Sequence, residues 1–148
     1  PRVSRMEHAE YVYTSGMTEA DVDERLREGQ HGVLGLADGD DSYAVPLSYH
    51  YDGERLILRV SDHDDDSEKG AFIEATETAT FVCYEGSETE SWSVQVRGPI
   101  REWRESVDEE TLNEWFPPFR LFDEAVEDVD FSLYELEITA VTGRKTVE

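Results

Sequence analysis

The chain has 148 residues, with 13 Lys plus Arg against 36 Asp plus Glu and a formal net charge of −23. The length fits one domain, and the charge repels polyanions, which excludes nucleic acid and anionic membrane surfaces as partners. No apolar run approaches the ~20 residues of a membrane helix, no signal-peptide pattern opens the chain, and the lone Cys83 excludes an intrachain disulfide and argues against a cysteine-based metal site. The expectation is one cytoplasmic domain over 1–148.

The acids run along nearly the whole chain, while the bases are eleven Arg and only two Lys, Lys69 and Lys145. This pattern reads as adaptation to high salt, where counterions screen self-repulsion and hydrated carboxylates hold solvent. Acidic clusters are then surface, and each lysine gains interest.

In chain order, residues 1–17 show no period and form an amino-terminal arm. Thr18 followed by Glu19 and Asp21 predicts a helix start, with Val22 and Leu26 on one face and Gly29 as the stop. His31 to Ala37 reads as a strand, and Asp38 to Asp41 as a turn. Ser42 to Tyr51 is a strand with Tyr43, Val45, Leu47, Tyr49 and Tyr51 alternating, which Pro46 marks as an edge or bulge. Asp52-Gly53 signals a hairpin into the strand Arg55 to Val60. A polar loop from Ser61 to Asp66 precedes a short helix, Glu68 to Ala75, with Phe72 and Ile73 inward. Ala79 to Tyr84 is a strand, and Glu85 to Glu90 a loop. Ser91 to Trp103 is a long strand broken at Gly98-Pro99. Asp108 to Trp115 reads as a helix ended by Pro117-Pro118, and 108–130 as a helical or irregular insertion. Phe131 to Val141 is the last strand, after which Gly143-Arg144-Lys145 closes the chain. Six strands, two or three short flanking helices and no strand-helix-strand rhythm predict a mainly β, six-stranded antiparallel barrel.

Chemistry-bearing patterns are sparse. His8, His31, His50 and His63 show no metal-ligand spacing, and the acids around His63 lack the glycine and distal glutamate of a calcium loop. No nucleophile elbow, dinucleotide fingerprint or phosphate loop occurs, and Cys83, mid-strand between Val82 and Tyr84, reads as a buried inert thiol. One segment stands out. Arg59 and Ser61 end a strand, and Ser67 and Lys69 open a helix whose free N–H groups favour an anion. Together they make a phosphate cradle. Arg59 and Lys69 would equally serve to neutralise Asp62 to Asp66.

At this point the chain resembles the pyridoxamine 5′-phosphate oxidase-like proteins, the FMN-binding split barrels. The likeness is carried by Gly32 to Gly39, Ser42 to Tyr49, Tyr51-Asp52-Gly53, Leu56 to Ser61, the Lys69 segment and Trp92 to Gly98. It implies a split-barrel homodimer with FMN in a groove between subunits. On that resemblance, Val45, Pro46, Leu47 and Ser48 lie against the isoalloxazine largely through their backbone, Arg59 and Ser61 reach the ribityl phosphate region, Lys69 holds the phosphate, and Trp92 and Gln95 approach the flavin, from the same or the partner subunit. Relatives bind deazaflavin or haem instead, and some bind no cofactor. The carboxy-terminal Arg- and His-containing signature of the founding oxidase is replaced by Thr142 to Glu148, which argues against pyridoxamine phosphate as substrate.

The expected function is a flavin-mediated hydride or electron transfer to a small molecule, with no compulsory side-chain acid or base. Tyr49, Tyr84 and Trp92 are candidates for shaping the substrate side, or else barrel core. The alternatives are a flavin or haem storage protein and a cofactor-free interaction module. The apolar run Trp115 to Phe119 fits an interface or lid as well as a helix packed on the barrel.

Overall fold

The computed structural model describes residues 14–61, 68–116 and 131–146. Residues 62–67, on which His63, most of the expected polar loop and the expected Ser67 cap fall, and residues 117–130 lie outside the described residues. The elements are β1 (Thr14–Gly16), α1 (Glu19–Glu28), β2 (His31–Asp38), β3 (Asp41–Tyr51), β4 (Arg55–Ser61), α2 (Glu68–Ala75), β5 (Ala79–Gly86), β6 (Ser91–Gly98), β7 (Ile100–Glu102), α3 (Glu109–Trp115), β8 (Phe131–Glu137) and β9 (Ala140–Thr146).

One antiparallel sheet runs in the order β1-β9-β6-β5-β2-β3-β4-β8-β7. Its nine strands correct the expected six, and the difference has a physical cause. Ser91 to Trp103 is divided into β6 and β7 at Pro99, and the last strand is divided into β8 and β9 and continues to Thr146. The two breaks face each other. Glu137 N–H donates to the Pro99 carbonyl at 3.0 Å, and Thr139 N–H to the Arg97 carbonyl at 2.9 Å. A Cβ on Gly98 would run into the Glu137 carbonyl, so the close approach of the two bent strands requires glycine there. The bend lets β8 pair with β4 while β9 pairs with β6, which closes the sheet into a barrel. The ninth strand, β1, comes from the amino-terminal arm and edges β9.

Strand alternation fills the interior. Leu34, Leu47, Tyr49, Leu56, Leu58, Phe81, Cys83, Val94, Val96 and Leu136 form the buried core. α1 starts because the Thr18 hydroxyl accepts the Asp21 N–H at 3.1 Å. Its buried Val22 and Leu26 cover the Tyr49–Tyr51 end of β3, and the Tyr49 hydroxyl donates to the Leu26 carbonyl at 2.8 Å. That bond satisfies one of the carbonyls a helix end leaves open. α2 closes the opposite end. Phe72 stacks on Tyr43 at 5.2 Å. The Thr76 hydroxyl, just past the helix, accepts from Ala37 N–H at 3.0 Å and donates to the Phe72 carbonyl at 2.6 Å.

Candidate functional site

The barrel is split between β3 and β4. The two strands pair only from Tyr51↔Leu56 to Ser48↔Arg59, although β3 reaches back to Asp41 and β4 forward to Ser61. The hydrogen-bonding parity follows from two contacts. Tyr49 N–H bonds the Gln30 carbonyl toward β2, and Asp52 N–H the Arg55 carbonyl toward β4. Even-numbered β3 residues therefore turn their backbone toward β4. Past Ser48, the Ala44 N–H and the Ala44 and Pro46 carbonyls face the split, with no described strand as partner. Pro46 sits unbroken in β3 for the same reason. Its missing N–H falls where β4 has already departed.

Beside this free edge the predicted polar residues converge. Ser48 faces Arg59 across the last shared rung, and the rung continues to His31 of β2 on one side and Leu133 of β8 on the other. Ser48 points to the outer face yet is buried. Burial pulls the half-buried Arg59 guanidinium down from its ordinary range, so a neighbouring anion would favour its charged form. Ser61 ends β4, and Lys69 in the first turn of α2 donates to its carbonyl at 2.6 Å. Val45 and Leu47 point into the barrel, whereas Pro46 and Ser48 point out. Val45 and Leu47 thus present backbone rather than side chains to the outer face, the kind of contact the resemblance implies for this strand.

Trp92 and Gln95 are not brought to this place within the chain. They lie on β6, flanked by β5 and β9 and three strands away from β3 in the sheet. Trp92 packs against the core under the Arg25 guanidinium, 5.1 Å from its ring centroid. Gln95 has the opposite parity and is exposed on the outer face. Tyr49 is core, and Tyr84 is 66% exposed on the outside.

That outer face has a feature no sequence window reveals. Asp and Glu make up 36 of the 148 residues. Yet every outward position of β2, β3, β5, β6 and β9 is free of them. Val33, Pro46, Val82 and Gln95 form its middle, with Tyr84, Arg97 and Arg144 toward its margins. Among the described residues the acids lie instead on the helices, the turns, the strand ends and the β4–β8 side, where Arg55 binds Asp52 and Glu135 at 3.0 Å each. His31, at the margin of this face on the Ser48 rung, carried no signal in the sequence, because only the β2–β3 register joins it to Ser48.

A cavity of about 610 Å³ lies at the α1 end, lined by Met17, Leu26, Val141 and the carboxylates Glu19, Asp23 and Glu54. Its acidic rim is unsuited to a phosphate. Among the described residues no group of three or more His, Cys, Asp or Glu is placed to hold a metal ion, and no helix is long and apolar enough to cross a membrane.

A closed antiparallel barrel, split between two strands and plugged by helices, defines the split-barrel class. A family model described as pyridoxamine 5′-phosphate oxidase matches residues 18–145, and the chain belongs to that family. No curated protein matches it. Among solved structures, it is similar to an FAD-binding protein from Mesorhizobium loti (18% identity, TM-score 0.67, covering 91% of this chain and 98% of that one). It is also similar to the FAD-binding protein from Mycobacterium smegmatis (15%, 0.66, 90% and 100%). A third likeness is to the FAD- and haem-binding protein from the same organism (13%, 0.64, 92% and 74%).

Proposed function

We propose that the protein holds a flavin, FMN before others, at the β3–β4 split and uses it to pass hydride or electrons to a small molecule. The observation that carries this is the convergence of Ser48, Arg59, Ser61 and Lys69 beside an edge of β3 that no described strand pairs. Lys69 and Arg59 suit a phosphate, the first as a compact charge and the second as a fork. The Ala44 N–H and the Ala44 and Pro46 carbonyls suit the polar edge of a ring that both donates and accepts hydrogen bonds. A flavin, when bound, supplies the redox chemistry. The chain's own residues would bind the phosphate, orient the ring and keep its surroundings dry.

A homodimer with the cofactor at the interface is part of the proposal. Its support is the acid-free outer face. In a chain of charge −23, a second copy could dock there without opposing carboxylates. Gln95 lies on that face and would reach the partner's groove. The names of the neighbouring structures favour keeping FAD and haem as second readings of the cofactor, with deazaflavin as a third.

Reduction of protein-bound FMN by NAD(P)H under anaerobic conditions, followed by reoxidation with a small-molecule acceptor, tests the catalytic part. Bleaching and recovery are expected. A bound flavin that no donor reduces would leave a storage protein in its place.

A further inference from the structure

The split does not run on past the Ser48–Arg59 rung, beyond which β3 and β4 are paired. On β3, His50 is the next outward residue, and the Trp115 ring lies flat on it, with centroids 4.8 Å apart and planes 10° apart. Opposite His50 stands Ile57 of β4, outward by alternation yet 1% exposed. Phe116, just past α3, is 6% exposed. Trp103 meets Trp115 edge-on at 6.2 Å and carries the Arg55 guanidinium 4.6 Å over its own ring. α3 is fixed for this task at its start, where the Asp108 carboxylate accepts the Thr111 N–H at 2.8 Å. An aromatic block thus stands one rung from Ser48.

Burial holds His50 below its ordinary range. Asp52 and Glu114 oppose the shift and Arg27 adds to it, so near neutral pH the stack is a pair of uncharged rings. An uncharged aromatic surface is what the apolar end of a planar heteroaromatic ring requires, once its polar edge has been met by the β3 backbone.

We propose that Trp115, seated on His50, is the end wall of the groove and packs against the apolar end of the bound isoalloxazine. This rests on the flavin reading above. It assigns to α3 a share in cofactor binding that acts on the ring and not on the phosphate.

Riboflavin and FMN, which share the ring and differ in the phosphate, separate the two ends. Affinities of both would be titrated in molar KCl for the wild type, Trp115→Ala, Trp115→Phe and Lys69→Ala, with circular dichroism confirming the fold. Trp115→Ala is expected to weaken both ligands by the same factor, about tenfold. Trp115→Phe should stay close to the wild type, and Lys69→Ala should weaken FMN alone. A folded Trp115→Ala protein with wild-type affinity for both ligands, or with a loss confined to FMN, overturns the assignment. If Trp115→Ala does not fold, Trp115→Leu is judged by the same two criteria. A wild-type protein that takes up neither ligand removes the flavin reading itself and the wall with it, an outcome distinct from the other two.

Discussion

Lys69 fastens the first turn of α2 to the last residue of β4 through its 2.6 Å hydrogen bond to the Ser61 carbonyl. The only other lysine, Lys145, is held by Asp21 at 2.8 Å at the opposite end of the barrel. A compact cation is therefore kept beside the split, in a chain whose positive charge is otherwise, Lys145 apart, carried by arginine.

Removing that cation should cost phosphate affinity and little else. Lys69→Ala is expected to raise the FMN dissociation constant about tenfold to a hundredfold, as loss of a hydrogen bond to a charged group does. Lys69→Arg should recover part of the loss. Isothermal titration of the folded variants checks this, and an unchanged FMN affinity in Lys69→Ala would remove the phosphate assignment.

The acid-free face gives the second expectation. Val82 of β5 points outward in its middle, cross-strand from Val33 and Gln95. Val82→Glu should turn a dimer into a monomer while leaving the barrel folded, because the interior uses only the residues of opposite parity. Light scattering in molar KCl reads the mass. A wild-type protein of 16.9 kDa in solution would contradict the dimer outright.

The third concerns acid stability. His50 binds its proton less readily folded than unfolded, since burial lowers its pKa. Its contribution to stability is complete above about 6.5, the ordinary histidine value, and is lost as pH falls through the lower folded value. Burial alone would raise the Asp52 carboxyl, but N–H groups of Glu54 and Arg55 and the Arg55 guanidinium hold it below its usual range, which adds a later loss at more acid pH. Urea unfolding at pH 7.5 and 5.5 should show the first loss in the wild type and a smaller one in His50→Phe, which keeps a ring against Trp115. Equal losses in both proteins would assign the effect elsewhere.

Much of this architecture was legible in the sequence, wherever the determinant is local. The Thr18 cap, the alternating aromatics of β3 and the Asp52-Gly53 hairpin, with Gly53 at φ +98, all sit within a few residues of what they specify. The parts that were not legible depend on distant partners. On β9, Gly143 and Lys145 share the inward parity of Val141 and look like a polar tail until Met17, just ahead of α1, and Val22 within it come against the first and Asp21 of α1 against the second. β1 is three residues long and owes its form to β9. Arg59 and Lys69 were found by residue type and order. His31, the inward seat of Trp92 and the absence of acids from one face all required the register of the sheet.

The group proposed for the split is a flavin with its phosphate at Arg59, Ser61 and Lys69. Its most direct test is the difference in affinity between FMN and riboflavin for the same wild-type protein in molar KCl, read from quenching of flavin fluorescence. One FMN per chain is expected, bound at least about tenfold more tightly than riboflavin. Equal affinity for the two, or no uptake of FMN, would contradict it.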